Sequence, residues 1–188
     1  MFERDIGGVW MRVLIAYSSK TGNTKMIAEE IFTVFHGEAD LYRIEDAPNP
    51  DPYDAVIVGF WVDKGSINLE AANYLKEIRH KKVAVFATVG SNPTCEHSKD
   101  SFASGIKLVD ASNEILGSYL CQGKVPYALI EQLLKRYPMS QEQGQVSIDW
   151  QAIYEEGKTH PNEEDVAKAR EVFSAIREKL HHLFEQNF

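Results

Sequence analysis

The sequence predicts an α/β protein, a three-layer, doubly wound fold whose five parallel strands form an open sheet with helices on both faces. Three observations predict it. Residues 13–16, 54–60, 83–89 and 114–121 are short, mainly apolar runs, the first three without the polar alternation of a half-exposed strand. The segments between them carry apolar residues at helical spacing. Strand and helix patterns also alternate along the chain, which favours parallel pairing through right-handed crossovers.

In chain order, residues 1–10 (MFERDIGGVW) read as an N-terminal extension. They carry acidic residues and no apolar core, so they are not a secretory signal. Strand one follows at residues 13–16. Ile27, Ala28, Ile31, Val34 and Phe35 then mark the buried stripe of a first helix. Residues 39–44 alternate, which places strand two at a sheet edge. Pro48, Pro50 and Pro52 exclude a regular helix after it, so a loop is expected in place of the second helix.

Strand three ends near Phe60, and residues 59–66 read as a glycine-punctuated loop. A helix opens at Gly65-Ser66, capped by Ser66 or Asn68, and buries Leu69, Ala72, Leu75 and Ile78. Strand four covers residues 83–89, a helix spans 98 to about 111, and strand five lies at 114–121. Pro126 begins a helix that stops at Pro138. Residues 140–159 are polar, and an irregular or partly helical excursion is expected there. Pro161 starts a long helix with the stripe Val166, Ala169, Phe173, Ile176, Leu180 and Leu183. Residues 11–138 thus form the ligand-binding domain, and 139–188 are an extension whose helix packs on it.

Bulk properties narrow the function classes. The chain has 188 residues, 44% hydrophobic and 26% charged, ordinary for one globular domain. A net charge of −8 argues against nucleic acid and anionic membranes and suits a basic protein partner. No apolar stretch is long enough to span a bilayer. Cys95 and Cys121 form no C-x-x-C pair, as expected of a reducing, cytoplasmic setting. Cys95, His97 and Cys121 read as packed thiols and a surface imidazole; no catalytic side chain and no metal site is expected. No G-x-S-x-G elbow supports a hydrolase.

The informative stretch is residues 17–24, Tyr-Ser-Ser-Lys-Thr-Gly-Asn-Thr, between strand one and the first helix. Such a turn presents backbone N–H groups to an anion at a helix N-terminus. It is neither a Walker loop nor G-x-G-x-x-G. It resembles the phosphate-binding loop of flavodoxins, aromatic-x-[S/T]-x-T-G-x-T, with Ala16 a minor departure. Segments 59–65, 120–124 and 160–165 are similar to a subgroup of flavodoxin-like proteins with a C-terminal extension.

The resemblance implies the strand order 2-1-3-4-5, which flavodoxin itself exemplifies, with FMN at the β1/β3 switch point. It implies FMN held by three loops: Ser19, Lys20, Thr21, Gly22, Asn23 and Thr24; Phe60, Trp61, Val62, Lys64 and Gly65; and Thr88, Val89, Gly90 and Ser91. Trp61 would stack on the flavin ring, and Lys64 or Gly65 would meet its N5 edge. The ammonium of Lys64, if close, favours an anionic reduced ring. The expected function is an electron carrier serving a redox partner enzyme. An NAD(P)H-dependent quinone or flavin reductase and a non-redox domain of the same fold are the alternatives.

Overall fold

The computed structural model describes residues 11–136 and 149–186. Residues 1–10, the expected helix stop at Pro138, and the part of the 140–159 excursion up to residue 148 lie outside the described residues. Five parallel strands make the main sheet: β1 (Val13–Tyr17), β2 (Ala39–Arg43), β3 (Ala55–Asp63), β5 (Lys82–Val89) and β6 (Glu114–Gln122), in the order β2-β1-β3-β5-β6. This is the expected order, renumbered because a two-residue strand, β4 (Ser66–Ile67), pairs antiparallel with the end of β3. Register across the centre pairs Val13 with Ala55 and Ala55 with Lys82.

Alternate residues of each strand enter opposite layers, which explains the absence of polar alternation. Val13, Ile15, Ile57, Ala84 and Phe86 join one core with Ile27, Ala28 and Ile31 of α1 (Asn23–Val34) and Ala169, Phe173, Ile176 and Leu180 of α6 (Glu163–Glu185). Leu14, Ala16, Val56, Val58, Phe60, Val83 and Val85 join the other with α2 (Leu69–Glu77) and Phe102 of α3 (Glu96–Ile106). Burying an aromatic as fully as Phe173 contributes about 2–3 kcal/mol, so α6 is part of the domain's core. Between β2 and β3 lies no α-helix, only a 3₁₀ turn, Ile44–Asp46, ahead of the three prolines, whose missing N–H groups exclude a helix through them.

Several boundaries differ from the sequence expectation. Residues 61–63 are not loop but the continuation of β3, because Trp61 pairs with Thr88 of β5 while Val62 and Asp63 pair with β4. The hairpin turns at Lys64 and Gly65, with φ of 49° and 79°. Two consecutive positive φ values match the twist of the flanking strands. α2 consequently starts at Leu69, with Asn68 at its N-cap position. α3 runs Glu96–Ile106, shorter at its C-terminal end than expected. Pro126 and Pro161 precede their helices, α4 (Tyr127–Arg136) and α6, by one and two residues, and α5 (Trp150–Gly157) lies within the excursion.

Candidate functional site

The site lies where β1 and β3 deliver their carboxyl ends and their crossovers leave on opposite faces of the sheet. β1 ends at Tyr17, and residues 18–22 climb to α1, whose N-cap is Gly22 at φ 93° and ψ −14°. That conformation is open to glycine and strained for other residues. A Cβ there would meet nothing within 4 Å, so it is the backbone conformation and not crowding that asks for glycine at this position. α1 has no N-cap side-chain hydrogen bond and no acidic residue in its first turn. Ser19 Oγ accepts the N–H groups of Gly22 and Lys25, both at 3.2 Å. Among the described residues, the N–H groups of Asn23 and Thr24 have no acceptor; they sit at the positive end of the helix dipole.

Each loop side chain has a distinct setting. Thr21 Oγ1 accepts from Asn23 Nδ2 at 3.1 Å, and the same amide donates to the Lys124 carbonyl at 2.9 Å. The Thr24 hydroxyl turns inward and meets that of Thr88 at 2.9 Å, tying the loop to β5. Lys20 is exposed, and its Nζ lies 5.1 Å from the centroid of the Trp61 ring. Trp61 and Val62 are half-buried at the end of β3. Phe60 points away from the loops: it is fully buried, its ring 5.8 Å from that of Phe102.

The hairpin tip at Lys64–Gly65 rests on α3, where a Cβ on Gly65 would lie 3.1 Å from His97 Cε1. Val89 is buried within β5, and Gly90 packs so tightly that a Cβ would lie 2.5 Å from Val125 Cγ2. Ser91 Oγ bonds Ser98 Oγ at 2.8 Å. The loops are thus linked by the Lys20–Trp61 and Thr24–Thr88 contacts, while Phe60 and Val89 serve the interior.

A polar network beneath the loops escaped the sequence reading. Ser18, only 3% exposed, donates to Glu70 Oε2 at 2.5 Å and accepts from Asn68 Nδ2 at 3.0 Å. Asn68 Oδ1 accepts the Trp61 N–H at 3.3 Å, so this side chain pins the tryptophan strand to the end of β1. Its position before a helix suggested a cap, and nothing local in the sequence marks the long-range role. Lys20, Lys64 and Lys124 are exposed and form no ion pair among the described residues.

A family model described as a flavodoxin domain matches residues 14–174. The chain belongs to the flavodoxin family. It is 32% identical over 166 residues to the flavodoxin-like domain-containing protein BilS of Clostridioides difficile, spanning 85% of this chain and 92% of that protein. A second relative of the same name, from Clostridium symbiosum, is 25% identical over 174 residues, 84% of this chain and 91% of the relative. Among solved structures, oxidised Flavodoxin 1 from Bacillus cereus superposes with a TM-score of 0.58 at 15% identity, covering 89% of this chain and 97% of that one. At that identity the likeness speaks for the fold alone. FMN binding and electron transfer are typical of flavodoxins.

The residues present fit the phosphate of such a cofactor. Two free N–H groups, the hydroxyls of Ser19 and Thr21, and an uncapped helix with a lysine beside it are a donor set for a dianion. No helix among the described residues is long and apolar enough to cross a membrane.

Proposed function

We propose that this flavodoxin-family chain binds FMN and carries electrons to a redox partner protein. The observation that supports it most is the start of α1: a helix with unused N–H donors, opened by Gly22 and crowned with hydroxyls. The 18–25 turn holds the phosphate through backbone N–H groups and the hydroxyls of Ser19 and Thr21, and Lys20 adds charge. Trp61, kept in place by Asn68, offers a flat apolar face to the ring and excludes water from it. The Lys64–Gly65 tip borders the ring edge, and the peptides of Gly90 and Ser91 close the other side. FMN, when bound, supplies reversible one- and two-electron chemistry, and the protein's part is to bind and orient it.

In this reading residues 11–138 form the FMN-binding part, and 139–188 an extension that completes it. The free thiols of Cys95 and Cys121 suit a reducing compartment such as the cytoplasm. The test is titration of the flavin-free apoprotein with FMN, followed by fluorescence and by visible spectra during stepwise dithionite reduction. One equivalent should be quenched, and Gly22→Val should weaken binding about tenfold or more, because a β-branched residue resists the left-handed conformation. Unquenched FMN fluorescence at micromolar protein would overturn the proposal. Turnover of NADPH with a quinone by the pure protein would replace the carrier by a reductase.

A further inference from the structure

Apart from Lys124, residues 120–124 and 160–165 have no part in the reading above, yet the fold brings them together behind the phosphate loop. His160 Nδ1 lies 2.5 Å from Asp165 Oδ2, and the same oxygen accepts the Asn162 N–H at 2.8 Å. Asn162 Oδ1 accepts from Glu164 and Asp165, at 2.9 and 3.1 Å, which closes a capping box at the start of α6. From β6, the buried Tyr119 hydroxyl donates to the Asp165 carbonyl at 2.7 Å. The turn before α6 is therefore held both to its helix and to the sheet.

A line of hydrogen bonds leaves this turn for the site. The His160 carbonyl accepts the Lys124 N–H at 2.8 Å. The Lys124 carbonyl accepts Asn23 Nδ2 at 2.9 Å, and that nitrogen also donates to Thr21 Oγ1 at 3.1 Å. Gly123 N–H donates to the Val89 carbonyl at 2.8 Å, which anchors the middle of the path to β5. Gly123 also presses on Asn23: a Cβ there would lie 2.7 Å from Asn23 Nδ2 and 3.0 Å from Asn23 Cβ. No side chain of the clasp reaches the loop itself; its effect passes through the 123–124 backbone.

We propose that His160 and Asp165 are positioning residues for the phosphate loop. Their clasp holds the 123–124 peptide, and that peptide holds Asn23, the first residue of α1, with its N–H and the Thr21 hydroxyl aimed at the phosphate. Donors of an anion site bind well only when held in place beforehand, so a support one shell out governs affinity without touching the ligand. The inference rests on the FMN reading and deepens it, giving the C-terminal extension a task at the cofactor site.

The test compares FMN with riboflavin, which has the same ring and no phosphate. Dissociation constants for both are measured by fluorescence quenching for the wild type, His160→Ala and Gly123→Ala, alongside thermal melts. FMN binding should weaken about tenfold in each variant, as misalignment of one or two charge-assisted hydrogen bonds implies, while riboflavin binding stays unchanged. Equal losses for both flavins would mean the clasp only stabilises the fold, and an unchanged FMN constant would remove the path; either result overturns the inference. Gly123→Ala leaves the α6 cap intact and tests the path even if His160→Ala fails to fold. A wild type that binds neither flavin would fail at the first step and take the FMN reading with it.

Discussion

Two cysteines show how far the setting of one residue decides its chemistry. Cys95, exposed before α3, has its Sγ 3.2 Å from Ser98 Oγ. The Ser98 hydrogen bond draws the thiol below its ordinary range, against the opposing effect of burial. Cys121 lies inside β6, where burial pushes its thiol up to about 12. Iodoacetamide at pH near 8 should therefore label Cys95 and spare Cys121 in the native protein, as peptide mass spectrometry would reveal. Ser98→Ala should move the midpoint of Cys95 alkylation to higher pH. Comparable labelling of both thiols would contradict this. Neither residue's reactivity could be read from the sequence, because the partner is a hydroxyl in one case and the bulk of the sheet in the other.

At the scale of elements, β3 is the piece on which the architecture turns. Its Gly59 sits opposite Phe86 of β5, and a Cβ there would lie 2.1 Å from the tip of that ring. Phe86 cannot simply retreat, since its ring meets Phe173 of α6 edge-on with centroids 6.0 Å apart. Gly59→Ala should lower stability by about 1–3 kcal/mol in urea melts, with the loss felt at the α6 contact. An unshifted midpoint would show that the ring pair can move aside at no cost. The buried strands and helical stripes were legible in the sequence because period and polarity are local properties. The β3–β4 hairpin was not: Lys64-Gly65 is not one of the usual two-residue turn pairs, and the strand's extension depends on β5 and β4 being there to pair with it.

Across the whole molecule, α6 closes the fold by returning to the start of the chain. Arg177 grips Glu38, just before β2, with bonds of 2.7 and 2.6 Å, and His181 Nε2 lies 2.9 Å from the same carboxylate. Burial raises the Glu38 carboxyl, but the Arg177 hydrogen bond and the charges of His181 and Arg177 outweigh it, so it titrates below its ordinary 4.5. A carboxyl lowered in the folded state adds stability above its unfolded value and loses it as pH falls through the folded one. Glu38→Gln should cost about 2 kcal/mol at neutral pH, and the gap from wild type should narrow as pH falls below the carboxyl's ordinary 4.5. A gap independent of pH would show that packing, not charge, carries the contact.

By itself the sequence determined the fold class and the five long strands, which follow from contiguous residues through apolar period and helix stops. Their order, and the place of the proposed phosphate loop at Tyr17 to Thr24, came from the resemblance that this run carries. Only the tertiary structure decided which neighbours support that loop. Asn68, Gly123 and Lys124 reach it from 44 or more residues away in sequence, and His160 and Asp165 stand behind them. Such partners share no local pattern, because hydrogen bonds across crossovers are set by where the packed layers leave their loops.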